Sequence, residues 1–144
     1  MTAVRHRVLA LLVGLSFVNY LLRNNLSIAM PALRADFQFT NEQLGWILAS
    51  FSVPYTIFQI PGGLFSDRFG PRRALTILAV AWAAITAITG FVPAIAVASA
   101  GGALAGLMAA RALMGATHAP LYPASAGAIL RWYPAGHWAL PYSR

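Results

Sequence analysis

The chain has 144 residues, 59% of them hydrophobic and 9% charged, with a mean hydropathy of +0.67; soluble domains carry about 25% charged residues, so this composition expects lipid as its solvent. A formal charge of +7 would suit a nucleic-acid partner, but every cationic side chain other than histidine is an arginine, set singly or in pairs between apolar runs, whereas a groove-reading protein gathers them on one face. Cysteine is absent, which removes disulfides and thiolate metal sites. No Ser-His-Asp, metal-ligand or phosphate-loop constellation occurs, so no metal, no cofactor, no nucleic acid and no enzymatic activity is expected.

Four apolar runs, 8–30, 44–65, 74–91 and 102–130, meet the roughly 20 residues that a helix needs to cross a bilayer. The expected fold is therefore all-α and transmembrane, with four membrane-spanning helices. The first run opens as "MTAVRHRVLALLVGLSFV", the basic start and apolar centre of a signal peptide. No A-x-A cleavage pattern follows and the run continues through "NYLLRNNLSIAMPAL", so it reads as a span. It carries Asn19 and Arg23, an i, i+4 polar pair. An ionisable group at this depth costs about 3 kcal/mol on insertion scales and needs water or a partner.

The connection "RADFQFTNEQLG" follows, where Thr40 with Gln43 three residues on matches a capping box opening the second span. That span holds a second i, i+4 polar pair, Tyr55 and Gln59, which polar packing between helices would also explain. Next comes "GGLFSDRFGPRR", in which Asp67, Arg68, Arg72 and Arg73 punctuate two apolar runs and Gly70-Pro71 stops a helix. The third span carries no charge. The boundary after it is soft, since "FVPAIAVASAGG" is small, apolar and broken at Pro93. In the fourth span Arg111, Gly115 and His118 fall at i, i+4 and i+7, one face of a helix. Gly115 would admit a close neighbour, and Pro120 and Pro123 would kink the helix below. His118 could carry a proton or serve as a neutral hydrogen-bonding residue between helices.

Charge gives the orientation. Arg5 and Arg7 precede span one, Arg68, Arg72 and Arg73 follow span two, and Arg131 and Arg144 follow span four, while the opposite side holds only Arg34, Asp36 and Glu42. By the positive-inside rule both termini and the "DRFGPRR" loop are cytoplasmic, in a multi-pass protein of the inner or plasma membrane. Arg23 and Arg111 then lie at similar depth, and no carboxylate occurs in any span. An anion from outside is the simplest partner for both; backbone carbonyls, or an acidic residue elsewhere in a larger protein, are the alternative.

The stretch "GGLFSDRFGPRR" resembles the signature loop between spans two and three of the major facilitator superfamily, through Gly63, Asp67, Arg68, Gly70, Arg72 and Arg73. In that family the loop braces the two halves of a transporter; here Gly63 would allow close helix contact, Asp67 would accept hydrogen bonds from a facing helix end, and Gly70 would permit the turn. A narrower resemblance, carried by "NYLLRNNLSIAMPAL", "QLGWILASFSVPYTIFQIPGGLFSDRFG" and "RALMGATHAPLYPASAGAILRWYP", is to the anion:cation symporter branch, which includes sugar-acid transporters. It implies that Arg23 and Tyr55 contact an organic anion, that Arg111 belongs to the polar site and its coupling network, and that a proton or sodium ion drives transport. Asn19 and Gln59 are added as candidate substrate-binding residues. The sequence departs from the branch at Leu22, where an acidic residue is common, at His118, where a glutamate is usual, and in the ending "RWYPAGHWALPYSR". The family fold has twelve spans, so residues 1–144 are expected to be an incomplete N-terminal domain, not transport-competent alone, whose remaining helices lie outside this chain. A small four-helix membrane protein acting as a structural or interaction subunit is the alternative from a different class.

Overall fold

The computed structural model describes residues 2–95 and 100–132. These form six helices, α1 Thr2–Phe37, α2 Asn41–Ile57, α3 Gln59–Phe69, α4 Pro71–Ile95, α5 Ala100–His118 and α6 Leu121–Trp132, with no strand among the described residues. Local chemistry sets most of their ends. After α1, Gln38 takes a left-handed φ of 54°, which lets the chain leave the helix axis. Thr40 then caps α2 reciprocally: its hydroxyl accepts from the Gln43 amide at 3.2 Å and the Gln43 side chain accepts from the Thr40 amide at 2.9 Å. The turn is tied back by Arg34, whose Nη1 donates to Asn41 Oδ1 at 3.0 Å. Between α3 and α4, Gly70 holds a φ of 81°, a conformation that costs a β-carbon-bearing residue dearly. Pro71 then opens α4, where its fixed φ suits the first turn and its missing amide is not needed.

Two of the expected spans are broken. The sequence suggests one continuous helix over 44–65, but the structure stops α2 at Ile57 and bends by 52° into α3. Pro61 explains the position: it cannot donate to the carbonyl of Ile57, four residues earlier, and its ring crowds that carbonyl. In the last run the kink expected from Pro120 and Pro123 is a full break between His118 and Leu121, with Pro123 unable to bond the Ala119 carbonyl by the same logic. By length and composition Val4–Phe37 and Pro71–Val92 can each cross a membrane, and the bent pair α2–α3 makes a third crossing when counted as one.

Packing is that of a chain dissolved in lipid. Small residues lie inside, with Ala103, Ala110, Ala119, Ala124 and Gly115 buried, while Leu11, Ile28 and Ile60 point outward, Ile28 at 81% exposure. Where the outside is as apolar as the inside, helices gain by close approach, which small residues permit. The most extensive contact is between α2 and α5. Three apolar layers stack along the bundle. One joins Leu26, Leu33 and Phe39 to Ile47 and Ala103; the middle one joins Phe51, Leu78, Trp82 and Met114; the third joins Leu12 to Ala128 and Ile129, with Leu75 against it. The start of α1, the start of α4 and the end of α6 thus share one end of the bundle. A β-carbon at Gly70 would stand 3.5 Å from Nη1 of Arg131, so the arginine-rich loop meets the end of α6 there.

Candidate functional site

The middle layer carries the polar chemistry. Arg111 projects from α5 and is 4% exposed, and its Nη1 and Nη2 each donate to the backbone carbonyl of Arg23 at 3.3 Å. The carbonyl partner anticipated as an alternative is therefore present, and it is the backbone of the other candidate arginine. It supplies hydrogen bonds but no countercharge, and Nε of Arg111 is buried with no partner among the described residues. Arg23 is an exposed residue, and its Cζ lies 5.3 Å from the Phe51 ring centroid and 5.6 Å from that of Tyr55. Cζ of Arg111 is 5.9 Å from the same Phe51 ring. Both cations are within the roughly 6 Å reach of cation–π attraction. The three carboxylates of the chain, Asp36, Glu42 and Asp67, stand exposed at helix ends, so the pair has no acidic partner at its own depth.

His118 is 1% exposed and enclosed by aromatic edges. Its ring lies 4.7 Å from Trp82 and 5.6 Å from Phe51, both near perpendicular, and neither ring nitrogen has a hydrogen-bond partner among the described residues. The interhelical hydrogen bond offered as its alternative role is not made among the described residues. Trp82 is locked in turn by Nε1 donating to the Thr117 carbonyl at 3.0 Å, pinning α4 to α5. Gly115 permits the close approach of α2 to α5 beside His118. A β-carbon there would fall on the carbonyl oxygen of Phe51, so the close neighbour expected at Gly115 is the α2 backbone.

The remaining candidates are less gathered. Tyr55 stacks on Phe51 at 5.7 Å, but Gln59 lies beyond the break at Phe58 and is exposed. Asn19 is 8% exposed with Nδ2 unpartnered among the described residues, and no hydrogen bond links it to Arg23. In the arginine-rich loop Asp67 and Arg68 are exposed, and no helix end donates to Asp67 among the described residues. The close approach expected at Gly63 falls one residue earlier: a β-carbon at Gly62 would stand 2.6 Å from the Pro120 ring, while at Gly63 it would find ordinary contact with Pro123 at 3.7 Å. Arg144 lies outside the described residues. A cavity of about 210 Å³ opens between α1, α4 and α5, where Asn25, Thr86, Thr89 and Arg111 supply its polar lining. The sequence reading does not single out Phe51, Trp82 or these threonines, since apolar and hydroxyl side chains in a greasy run look like lipid-facing or helix-backed ones. The one usable signal is the spacing of Phe51 one turn before Tyr55.

Comparison with known proteins places the arrangement. The probable sulfoacetate transporter of Cupriavidus necator is 31% identical over 130 residues, 90% of this chain and 28% of the relative. The probable galactarate/D-glucarate transporter of Escherichia coli is 32% identical over 130 residues, 90% of this chain and 29% of that protein, and the hexuronate transporter of Bacillus subtilis is 35% identical over 117 residues, 81% and 26%. The chain therefore spans less than a third of the length of these relatives, all of them transporters of organic acids. No solved structure matches it. The family model of the Major Facilitator Superfamily matches residues 12–144, nearly the whole chain, and the protein is thereby a member of that superfamily of membrane transporters rather than an enzyme.

Proposed function

We propose that this chain is the N-terminal, four-span part of a secondary transporter for small organic anions, sugar acids or other carboxylates. One observation carries the reading: two arginines from different helices, Arg23 and Arg111, meet over one aromatic ring at membrane depth with no carboxylate among the spans to neutralise them. A buried guanidinium such as that of Arg111, 4% exposed, beside a second cation is costly unless an anion completes the pair. A carboxylate entering beside the exposed Arg23 would find a planar fork of donors, with Tyr55 to orient it. The names of the relatives support the substrate class.

The rest of the reading follows the same site. Uptake is coupled to a proton or sodium ion, with His118 as the residue that would take the proton. The enclosure of His118 by Phe51 and Trp82 means that its proton would exchange only when the aromatic pair parts, a natural link to a cycle of alternating access. The Gly63, Asp67, Arg68, Gly70, Arg72 and Arg73 loop acts at a distance, as a brace against helices of a longer protein that the exposed Asp67 would meet. Both termini of the chain and this loop face the cytoplasm of the cell in which it lies in the plasma membrane. The test is uptake of labelled galactarate, glucarate and sulfoacetate into proteoliposomes holding the protein with its downstream spans. Saturable uptake of at least one, competed by other carboxylates and not by their neutral amides, is the expected result. Equal competition by the neutral amides would remove the anion reading.

A further inference from the structure

Phe51 lies at the centre of the polar cluster yet has no polar atom of its own. Its ring is 4% exposed and faces Arg23 at 5.3 Å, Arg111 at 5.9 Å, Tyr55 at 5.7 Å and the edge of His118 at 5.6 Å. We propose that Phe51 is a positioning residue of the anion site, its ring holding the guanidinium groups of Arg23 and Arg111 side by side so that both address one ligand. The proposal rests on the reading that these two arginines bind the anion.

The physical need is specific. Two guanidinium groups brought together repel each other, and the hydrogen bonds between them run from Arg111 to a backbone carbonyl, which fixes Arg111 against α1 but leaves the charged end of Arg23 free. Among the described residues the neighbours of the Arg23 guanidinium are two rings of α2, Phe51 at 5.3 Å and Tyr55 at 5.6 Å, and of these Phe51 is the one that also faces Arg111. The negative face of an aromatic ring attracts both cations at once and does so most strongly where water is excluded. An aliphatic side chain of similar size would fill the space without that attraction. The ring is itself held in place, because Gly115 lets the backbone of Phe51 press directly on α5, and Tyr55 stacks on the ring. Position, burial and partners thus make Phe51 a platform whose electron density, and not only its bulk, should set the affinity.

Fluorination separates the two roles, since successive fluorines drain the ring face while changing its volume little. The protein with its downstream spans, purified in detergent, would carry mono-, di- or trifluorophenylalanine at position 51, and galactarate affinity would be measured together with the ligand-free melting midpoint. The expected result is a stepwise loss of affinity reaching roughly tenfold at three fluorines, the scale of a cation–π contact between the exposed and the fully desolvated limits. Phe51→Leu should lose at least as much. Equal affinity across the fluorinated series would overturn the proposal, as would a loss of affinity that merely tracks a falling melting midpoint. Failure of the unsubstituted protein to bind galactarate, sulfoacetate or a hexuronate would instead overturn the anion-site reading beneath it, and that result appears before any substitution is made.

Discussion

Gly115→Ala should be the most damaging small substitution in the bundle, and its size can be worked from the contact it violates. A β-carbon at this position falls on the carbonyl oxygen of Phe51 and lies 3.0 Å from the carbonyl carbon and 3.2 Å from Cα. All three atoms are backbone, so no rotamer change relieves the overlap and α2 must move away from α5 along their most extensive contact. Overpacking of this kind costs about 1–3 kcal/mol, and rigid backbone places it toward the upper end. Alanine recovers up to about 1 kcal/mol of helix propensity relative to glycine, leaving a net loss of roughly 1–2 kcal/mol. Gly14→Ala and Gly90→Ala provide the control, because both lie within helices with nothing within 4 Å of the new carbon, and each should be neutral or stabilising by up to about 1 kcal/mol. Denaturation midpoints in mild detergent read the difference. Because Phe51 itself is displaced, anion affinity should fall with stability for Gly115→Ala and not for Gly14→Ala, whereas Gly90 lines the cavity beside Arg111 and serves as a stability control alone. A midpoint for Gly115→Ala equal to those of Gly14→Ala and Gly90→Ala would refute the close α2–α5 packing from which the site is built.

Thr40→Ala should lower stability by about 1 kcal/mol through loss of the cap on α2, measurable by the same denaturation; no loss would mean that the observed reciprocal bonds contribute nothing. Cysteines at the exposed positions Thr40 and Arg68 should label with impermeant reagent from opposite faces of the membrane, and labelling from one face would overturn the topology. His118→Gln should abolish stimulation of uptake by an inward proton gradient while leaving exchange of anion for anion intact, since exchange needs no net proton movement. Gradient-driven uptake unchanged in that variant would remove His118 from the coupling step.

Much of this organisation was legible in the residues because it depends on local chemistry. The capping box at Thr40 and Gln43 forms as the sequence indicates, and Gly70 supplies the expected turn, at a positive φ that a side chain would oppose. The one-face spacing of Arg111, Gly115 and His118 holds, since all three are buried on α5. What could not be read is what each face meets. A period of 3.6 residues tells which side chains share a stripe but not which neighbouring helix covers them, so Phe51 and Trp82 looked like any apolar residue until α2 and α4 were seen to flank His118. The break at Phe58 is not legible for a related reason: a glutamine and a proline within an apolar run fit both a continuous span and a bent one, and only the loss of the Ile57 acceptor's partner decides. Gly62 and Gly63 are adjacent and chemically identical, and the seat of the Pro120 ring alone distinguishes them.

Arg23→Lys puts the proposed anion clamp of Arg23 and Arg111 to the test. The substitution keeps the charge and removes the planar fork that binds a carboxylate through two parallel hydrogen bonds. Radiolabelled carboxylate uptake into proteoliposomes holding the whole transporter proposed above should fall strongly for Arg23→Lys and comparably or less for Arg111→Lys. Tyr55→Phe should cost only about 1 kcal/mol, the worth of one neutral hydrogen bond. Full uptake by the Arg23→Lys variant of every carboxylate that the unsubstituted protein carries would contradict the clamp and leave Arg23 a structural charge.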